Sequence, residues 1–239
     1  MSAPTVIGID TSTAYASVAL TRGAAVLVEE ARGPDEAGRP RHAELLLEAV
    51  EACVGESGGW EVVDSIAVGL GPGSFTGLRI GIATARALAQ ARELPIAGVS
   101  SLAALARGIG ERPEAEGRPR LPVLDARRGQ AFAAIHEANG AQARGPFLAE
   151  PEELAAAAAA LEPPPLAAGE GSVRFRSELE AAGAVVPADG DGVHRVAARH
   201  VCALGAAAEQ SAPERIEPTY LRAPDAKTWL ERDRDRRPH

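Results

Sequence analysis

Apolar-rich runs at residues 5 to 10, 15 to 21 and 24 to 31 predict three short strands. The polar clusters Thr11-Ser12-Thr13 and Thr21-Arg22-Gly23 predict the turns between them. Residues 31 to 40 mix Gly, Pro and charge and read as a loop. Beyond it, His42, Leu45, Leu46, Ala49, Val50 and Cys53 fall at i, i+3, i+4, i+7, i+8 and i+11, one stripe of an amphipathic helix. Gly55 to Gly59 ends that helix. A strand over 64–70, a helix over 76–91, a strand over 96–99 and a helix from Ser101 follow. The predicted order is β-β-β-α-β-α-β-α.

Residues 108 to 120 carry Gly, Pro, Glu and Arg and read as a linker. After it the pattern of the N-terminus returns. Gly8-Ile-Asp10 through Leu20 can be laid on Val123-Leu-Asp125 through Ile135, an offset of 115 residues. In each copy an apolar pair precedes an Asp, then a polar turn, then a second strand of small apolar residues. An Asp at the same hairpin position in both halves points to duplication. Helices are expected over 151–161 and 195–210, with Pro163-Pro-Pro165 breaking the chain and a strand over 166–169. From Asp225 onward the chain holds five basic and four acidic residues in fifteen, the composition of a solvated tail. The expected units are residues 1–107, residues 108–224 and a charged tail, 225–239.

Residues 69 to 79, Gly-Leu-Gly-Pro-Gly-Ser-Phe-Thr-Gly-Leu-Arg, join a strand to a helix through a turn in which backbone must pass close to something. A phosphate cradle is the first candidate, but the spacing is wrong for it. A Walker loop needs Lys after its last Gly, and Gly77 is followed by Leu78. The dinucleotide pattern fails because Thr76 stands where the third Gly should be. A nucleophile elbow fails because Pro72 precedes Ser74 by two. Ser74 or Thr76 is expected to cap the helix, leaving its outer face free for a partner.

A length of 239 residues allows one large or two modest domains. Hydrophobic residues make up 46% and aromatics 3%, so much of the interior must be Val, Ile, Leu and Ala. The formal net charge of −8 argues against a general nucleic-acid binder, because phosphate neutralisation supplies most of such affinity. Cys53 and Cys202 stand far apart, giving no disulfide or zinc framework and fitting a reducing compartment. No run approaches 18 apolar residues and no signal-peptide pattern is present, so a cytoplasmic protein without membrane contact is expected.

Duplicated βββαβα domains with an Asp at each first hairpin resemble the actin-like, sugar-kinase-like (ASKHA, ribonuclease H-like) α/β superfold. Within it, four strings are similar to the TsaB (YeaZ-like) family. They are Ile9-Asp-Thr-Ser-Thr13, His42-Ala-Glu-Leu-Leu-Leu47, Val68 through Arg79, and Pro95-Ile-Ala-Gly-Val-Ser-Ser-Leu102. Val123-Leu-Asp-Ala-Arg-Arg128 and Pro218-Thr-Tyr-Leu-Arg222 match more weakly. The resemblance spans about residues 5 to 224 and is diffuse from 140 to 215.

The resemblance implies a non-catalytic subunit of a tRNA N6-threonylcarbamoyltransferase complex. It would bind and activate TsaD, the paralogue that transfers a threonylcarbamoyl group to N6 of adenosine 37 of tRNAs reading ANN codons. TsaD carries two metal-binding histidines four apart, where this chain has Ser101 and Leu105. Two ligands at i and i+4 share a helical face, but Leu cannot bind metal and Ser is a poor ligand. The implied partners are the TsaD-like paralogue, a TsaE-like ATPase in the larger complex, a second copy of this chain where TsaD is absent, and tRNA reached mainly through TsaD. ATP and metal would enter through those partners, with no cofactor held by this chain.

In the family the first two helices, here about 41–55 and 76–91, pack against their TsaD equivalents as a four-helix bundle. The residues that would carry the contact are His42, Leu45, Leu46, Ala49, Cys53, Phe75, Leu78, Arg79, Ile82 and Arg86. Arg at Leu78 or Ile82 should then weaken the complex and leave the fold intact. Part of the Leu45, Leu46, Ala49 stripe must also serve the chain's own sheet.

Asp10 and Asp125 are candidates for holding Mg²⁺ and nucleotide phosphate, weighed against a plainer role as hairpin caps that the residues favour. Arg127 and Arg128 read as solvated turn charges, with an anion or tRNA as the sharper alternative. His42 reads as an interface or helix-start residue, and Cys53 as a small hydrophobe. Gly169-Glu-Gly171 could be a remnant of an adenine-site turn, but an ordinary loop is the simpler reading. The competing function is an actin-like ATP-dependent phosphotransferase or a glycoprotease-type peptidase. It lacks a visible nucleophile, base and orienting group.

Overall fold

The structure is a computed structural model in which residues 3–222 are described. The tail expected over 225–239 lies outside the described residues. In the first half, β1 (Thr5–Asp10), β2 (Ala16–Arg22) and β3 (Ala25–Arg32) form an antiparallel meander. β4 (Ser65–Gly69) then lies parallel beside β1, and β5 (Ile96–Val99) beside β4, giving the order β3-β2-β1-β4-β5. α1 (His42–Glu56) joins β3 to β4, and α2 (Phe75–Arg92) joins β4 to β5. α3 (Ser101–Ile109) leads out of this lobe.

The second half repeats the plan. β6 (Arg120–Asp125), β7 (Ala131–His136) and β8 (Gln142–Ala149) form a second meander. α4 (Pro151–Ala159) leads to β9 (Leu166–Ala168), which lies parallel beside β6, for an order of β8-β7-β6-β9. α5 (Glu170–Arg174) and α6 (Arg176–Ala181) follow where the first lobe has α2. A single bridge between Leu166 and Val185 marks the place of the fifth strand.

The duplication inferred from the two aspartates is therefore present. Asp10 ends β1 opposite Ser17, and Asp125 ends β6 opposite Ala131. The second hairpin turn is one residue shorter, so the 115-residue offset holds on the first strand and slips by one on the second. β8, α5 and α6 carried no clear sequence signal. β8 contains Gly145-Pro146, tolerated because it is an edge strand with no ladder partner beyond it.

Both faces of the first sheet are covered. On β1, Ile7 and Ile9 meet Leu46, Val50, Leu78 and Ile82 of α1 and α2. On the other face, Val6, Ala19 and Ala67 meet Val201 and Cys202 of α7 (Ala198–Gly205), a helix from the far end of the chain. α3 and α7 fill the space between the two sheets, with Leu102, Leu105 and Ile109 against Leu124, Phe132 and Leu166. The outer face of the second sheet is closed by Leu154, Phe175 and Leu179. The result is five layers, helix–sheet–helix–sheet–helix. The boundary expected at residue 107 falls inside α3, and α7 belongs by contact to the first sheet although it lies in the second half of the sequence.

Candidate docking face and inter-lobe cleft

The glycine-rich turn packs against the chain itself. Ser74 Oγ accepts from the Gly77 N–H at 3.3 Å and caps α2, and Ser74 N–H donates to Ser12 O at 2.7 Å. A Cβ on Gly77 would lie 2.1 Å from Thr11 O, and one on Gly81 would lie 2.1 Å from Thr11 Oγ1. Thr11 Oγ1 donates to Gly77 O at 2.8 Å. What the backbone approaches so closely is the β1–β2 turn. The glycines let α2 lie on that turn.

α1 and α2 pack side by side over the sheet. Six of the ten residues expected at a partner face are buried in the chain's own core: His42, Leu46, Ala49, Cys53, Leu78 and Ile82. The physical reason is the shared apolar stripe, which the sheet claims first. Arg at Leu78 or Ile82 would bury a charge among Ile7, Ile9 and Val50, so the expectation of an intact fold is corrected. The His42 imidazole lies against Gly77, and burial pulls its pKa below the ordinary value. Burial pushes the Cys53 thiol up to about 12, consistent with an inert hydrophobe.

Four expected residues remain at the surface in whole or part. Leu45 and Arg86 are half-buried, while Phe75 and Arg79 are exposed. Phe75 is 43% exposed and stacks with Tyr220, itself 40% exposed, at a ring separation of 5.2 Å. The Arg79 guanidinium sits 3.9 Å above the Phe75 ring, and its Nε donates to Tyr220 Oη at 3.2 Å. Such a stack orders the side chains before any partner arrives. The sequence reading missed Leu47, which is 54% exposed on α1. The signal was there: in Leu45-Leu46-Leu47, only two can lie on the inward stripe.

Asp10 is buried at the end of β1. Its Oδ1 accepts from Ser12 N–H at 2.9 Å and Ser12 Oγ at 2.6 Å, and its Oδ2 accepts from Ser101 Oγ at 2.6 Å. Burial pushes its pKa up, while the Ser101 and Ser12 donors pull it back. Ser101 Oγ also accepts from Gly71 N–H at 3.2 Å. Leu105, the second position to which the resemblance assigns a metal-binding histidine in the paralogue, is buried between the sheets.

Asp125 accepts from Arg127 N–H at 2.8 Å, and Arg174 Nη1 donates to both of its oxygens at 2.9 Å. The carboxylates of Asp10 and Asp125 are thus taken up by internal donors, and the residues present do not fit a Mg²⁺ ion. Among the described residues, no group of three His, Cys, Asp or Glu could hold a metal.

Between the lobes lies a cleft of about 450 Å³. Thr13, Ser74, Phe75 and Thr76 line it from the first lobe, and Asp125, Arg127, Arg128 and Glu170 from the second. Residues 219–222 cross its mouth. Thr219 N–H donates to Leu70 O at 2.8 Å, while Arg222 Nη1 donates to Ala126 O at 3.0 Å and its other nitrogen reaches Gln130. Arg127 and Arg128 have φ of 63° and 53° in the tight turn closed by Gln130 N–H to Arg127 O. Sequence reasoning passed over Glu170 as part of an ordinary loop. Burial, then the Asp125 carboxylate, push its pKa up to about 7.

The family model described as TsaD, tRNA N6-adenosine threonylcarbamoyltransferase, matches residues 33–227. The chain is 37% identical over 134 residues to the tRNA threonylcarbamoyladenosine biosynthesis protein TsaB of Escherichia coli (strain K12), covering 55% of this chain and 54% of that protein. It therefore spans about half the length of that relative. An uncharacterized protein of Mycobacterium tuberculosis (strain ATCC 25618 / H37Rv) is 33% identical over 225 residues, covering 93% of this chain and 94% of that one.

Among solved structures, an uncharacterized protein with similarity to peptidase YEAZ from Pseudomonas aeruginosa superimposes with a TM-score of 0.72 at 28% identity, covering 92% of this chain and 100% of that one. The ethanolamine utilization protein EutJ from Carboxydothermus hydrogenoformans shares the fold alone, with a TM-score of 0.51 at 13% identity over 84% of this chain and 90% of that one. With two lobes built on one repeated plan, the fold is the duplicated actin-like α/β architecture. Among the described residues no helix is long and apolar enough to cross a membrane. With the greater part of its length matched by the family model, the chain belongs to the TsaD family, and within it is TsaB/YeaZ-like.

Proposed function

We propose that this chain is a non-catalytic subunit of a cytoplasmic N6-threonylcarbamoyladenosine machinery for tRNA, docking a TsaD-like paralogue through the outer faces of α1 and α2. The observation that carries the reading is the fate of two positions. Ser101 is committed to Asp10 and Gly71, and Leu105 to the core, so the helix on which the paralogue carries two metal-binding histidines offers no ligand pair here. Contact is what remains for this chain to contribute.

The outer surface suits contact. α1 turns Glu44, Leu47, Glu48 and Glu51 outward, and α2 turns out Phe75, Arg79, Ala83 and Ala87. The acidic stripe of α1 beside the small-residue outer face of α2, with Leu47 and Phe75 as apolar anchors, complements a partner presenting a similar helix pair with basic charge opposite α1. Docking would favour a conformation of the paralogue competent for tRNA and its activated threonylcarbamate. In this reading a TsaE-like ATPase joins the assembly, two copies pair where the paralogue is absent, and tRNA is held mainly by the paralogue, in keeping with the net charge of −8. An actin-like phosphotransferase is disfavoured by the internal use of Asp10 and Asp125. A peptidase is disfavoured because no histidine lines the cleft among the described residues.

Phe75→Glu with Leu47→Glu should leave the chain folded, lowering the unfolding free energy by about 1–2 kcal/mol through the lost Tyr220 and Arg79 contacts. Affinity for the TsaD paralogue, read by titration calorimetry, should fall by at least about tenfold, the scale of a lost interface anchor. A folded double variant that binds as tightly as the parent would overturn the assignment of this face.

A further inference from the structure

From Ser211 the chain runs back over the first lobe. Ser211 N–H donates to Ile96 O of β5 at 2.8 Å, the turn Pro213–Arg215 lies on α2, and Ile216 is buried in the core that holds Leu78 and Ile82. Pro218-Thr-Tyr-Leu-Arg222 then leaves for the second lobe, and within four residues it is bonded to both. Thr219 N–H donates to Leu70 O at 2.8 Å, while Arg222 Nη1 donates to Ala126 O at 3.0 Å and Nη2 reaches Gln130. Leu221, between them, packs on the core that joins the two sheets. Pro218 fixes its own φ just ahead of these contacts, so less chain entropy is lost in ordering the strap.

The strap ends on a turn closed by its own bonds. Ala126 N–H donates to Gln130 O, and Gln130 N–H to Arg127 O, both at 3.0 Å. Between its two ties the strap carries Tyr220. The Tyr220 ring stacks on Phe75, the first residue of α2, and its Oη accepts from Arg79 Nε, one turn further along the outer face. Both rings keep about two-fifths of their surface open, 40% for Tyr220 and 43% for Phe75.

We propose that Tyr220 is a third anchor of the docking face, beside Leu47 and Phe75, and that Arg222 is the positioning residue that holds it there from the second lobe. This rests on the docking reading and deepens it. A surface assigned to two helices of the first lobe is completed by a strap tied to the β6–β7 turn, so the second lobe helps to set affinity for the paralogue without touching it. A large ring already held in its bound position loses little freedom when a partner covers it. The dependence is reciprocal, because a partner that covers Tyr220 also favours the Arg222 tie.

The test has two arms. The chain has two tyrosines, Tyr15 and Tyr220, so their ring resonances can be told apart. In the free chain the Tyr220 ring signals should be displaced by the ring current of Phe75. Phe75→Leu should remove that displacement, and Arg222→Ala should shrink it by releasing the strap. Tyr220 signals that are the same in Arg222→Ala as in the parent would overturn the positioning role.

In the second arm, titration calorimetry measures affinity for the TsaD paralogue in variants whose unfolding curves show them folded. Tyr220→Ala should bind about tenfold more weakly, the scale of a lost anchor. Arg222→Ala should bind severalfold more weakly, and the two together no more weakly than Tyr220→Ala alone, because Arg222 acts through Tyr220. Losses that multiply would show Arg222 acting by itself and overturn its positioning role. Parental affinity in Tyr220→Ala would overturn the anchor, with the Leu47 and Phe75 variants still deciding the docking reading. If the parent does not bind the paralogue, the docking reading and the anchor both fall, while the Tyr220 resonances still decide the tie.

Discussion

Asp10 and Asp125 occupy the same place in two copies of one hairpin, yet their surroundings have diverged. Asp10 is sealed beneath α2 and α3, with Ser12 and Ser101 as donors. Asp125 lies at the edge of a cleft and is ion-paired to Arg174. Duplication kept the turn and its carboxylate, while the later connections decided what each does. In the first lobe a long helix lies directly on the turn and makes it a structural hub. In the second, the short α5 leaves the turn at the cleft, where the carboxylate, 10% exposed, pairs with Arg174 and Arg127.

That contrast can be broken by removing each carboxyl in turn. Asp10→Ala would leave Ser12 and Ser101 with buried donors unmatched, and should lower the unfolding free energy in urea by about 2–4 kcal/mol. Gly81→Ala tests the same hub from the other side. Its Cβ would meet Thr11 Oγ1, and overpacking of this kind should cost about 1–3 kcal/mol, read as a lower midpoint with an unchanged slope.

Asp125→Ala removes a pair whose Asp125 side chain is 10% and Arg174 side chain 44% exposed, and should cost about 1–2 kcal/mol, less than Asp10→Ala. Equal losses for the two aspartates would refute the contrast. A further effect concerns pH. Glu170 titrates at about 7 in the folded chain and near 4.5 unfolded, so ionising it costs more in the folded state. Stability should therefore decline as pH rises from about 4.5 to about 7 and level off above. Glu170→Gln should flatten that decline, measured as the difference between parent and variant in urea titrations across the window.

The charge reading also separates the two lobes. The outer helices of the first carry an acidic stripe on α1 with exposed Leu47 and Phe75, whereas α4 of the second is mostly Ala and has Leu154 and Ala158 buried. A helix pair with anchors on top of a closed core is suited to a partner. A short Ala-rich helix completing a sheet is not.

Local pattern determined a good deal of this protein. The run of strands and helices in the first half, the duplicated hairpins and the Ser74 cap all follow from residue types at fixed spacings. Spacing alone also ruled out a phosphate loop at residues 69–77. Only the tertiary structure could decide which side of each helix is free, because a helix on a sheet and a helix in an interface both need one apolar stripe. That is why His42, Leu46, Ala49, Cys53, Leu78 and Ile82 proved internal, and why Leu47 was overlooked. The return of α7 to the first sheet and the reach of Arg222 to Ala126 join residues far apart in the chain. No local period encodes such contacts, since they arise only when the two lobes pack.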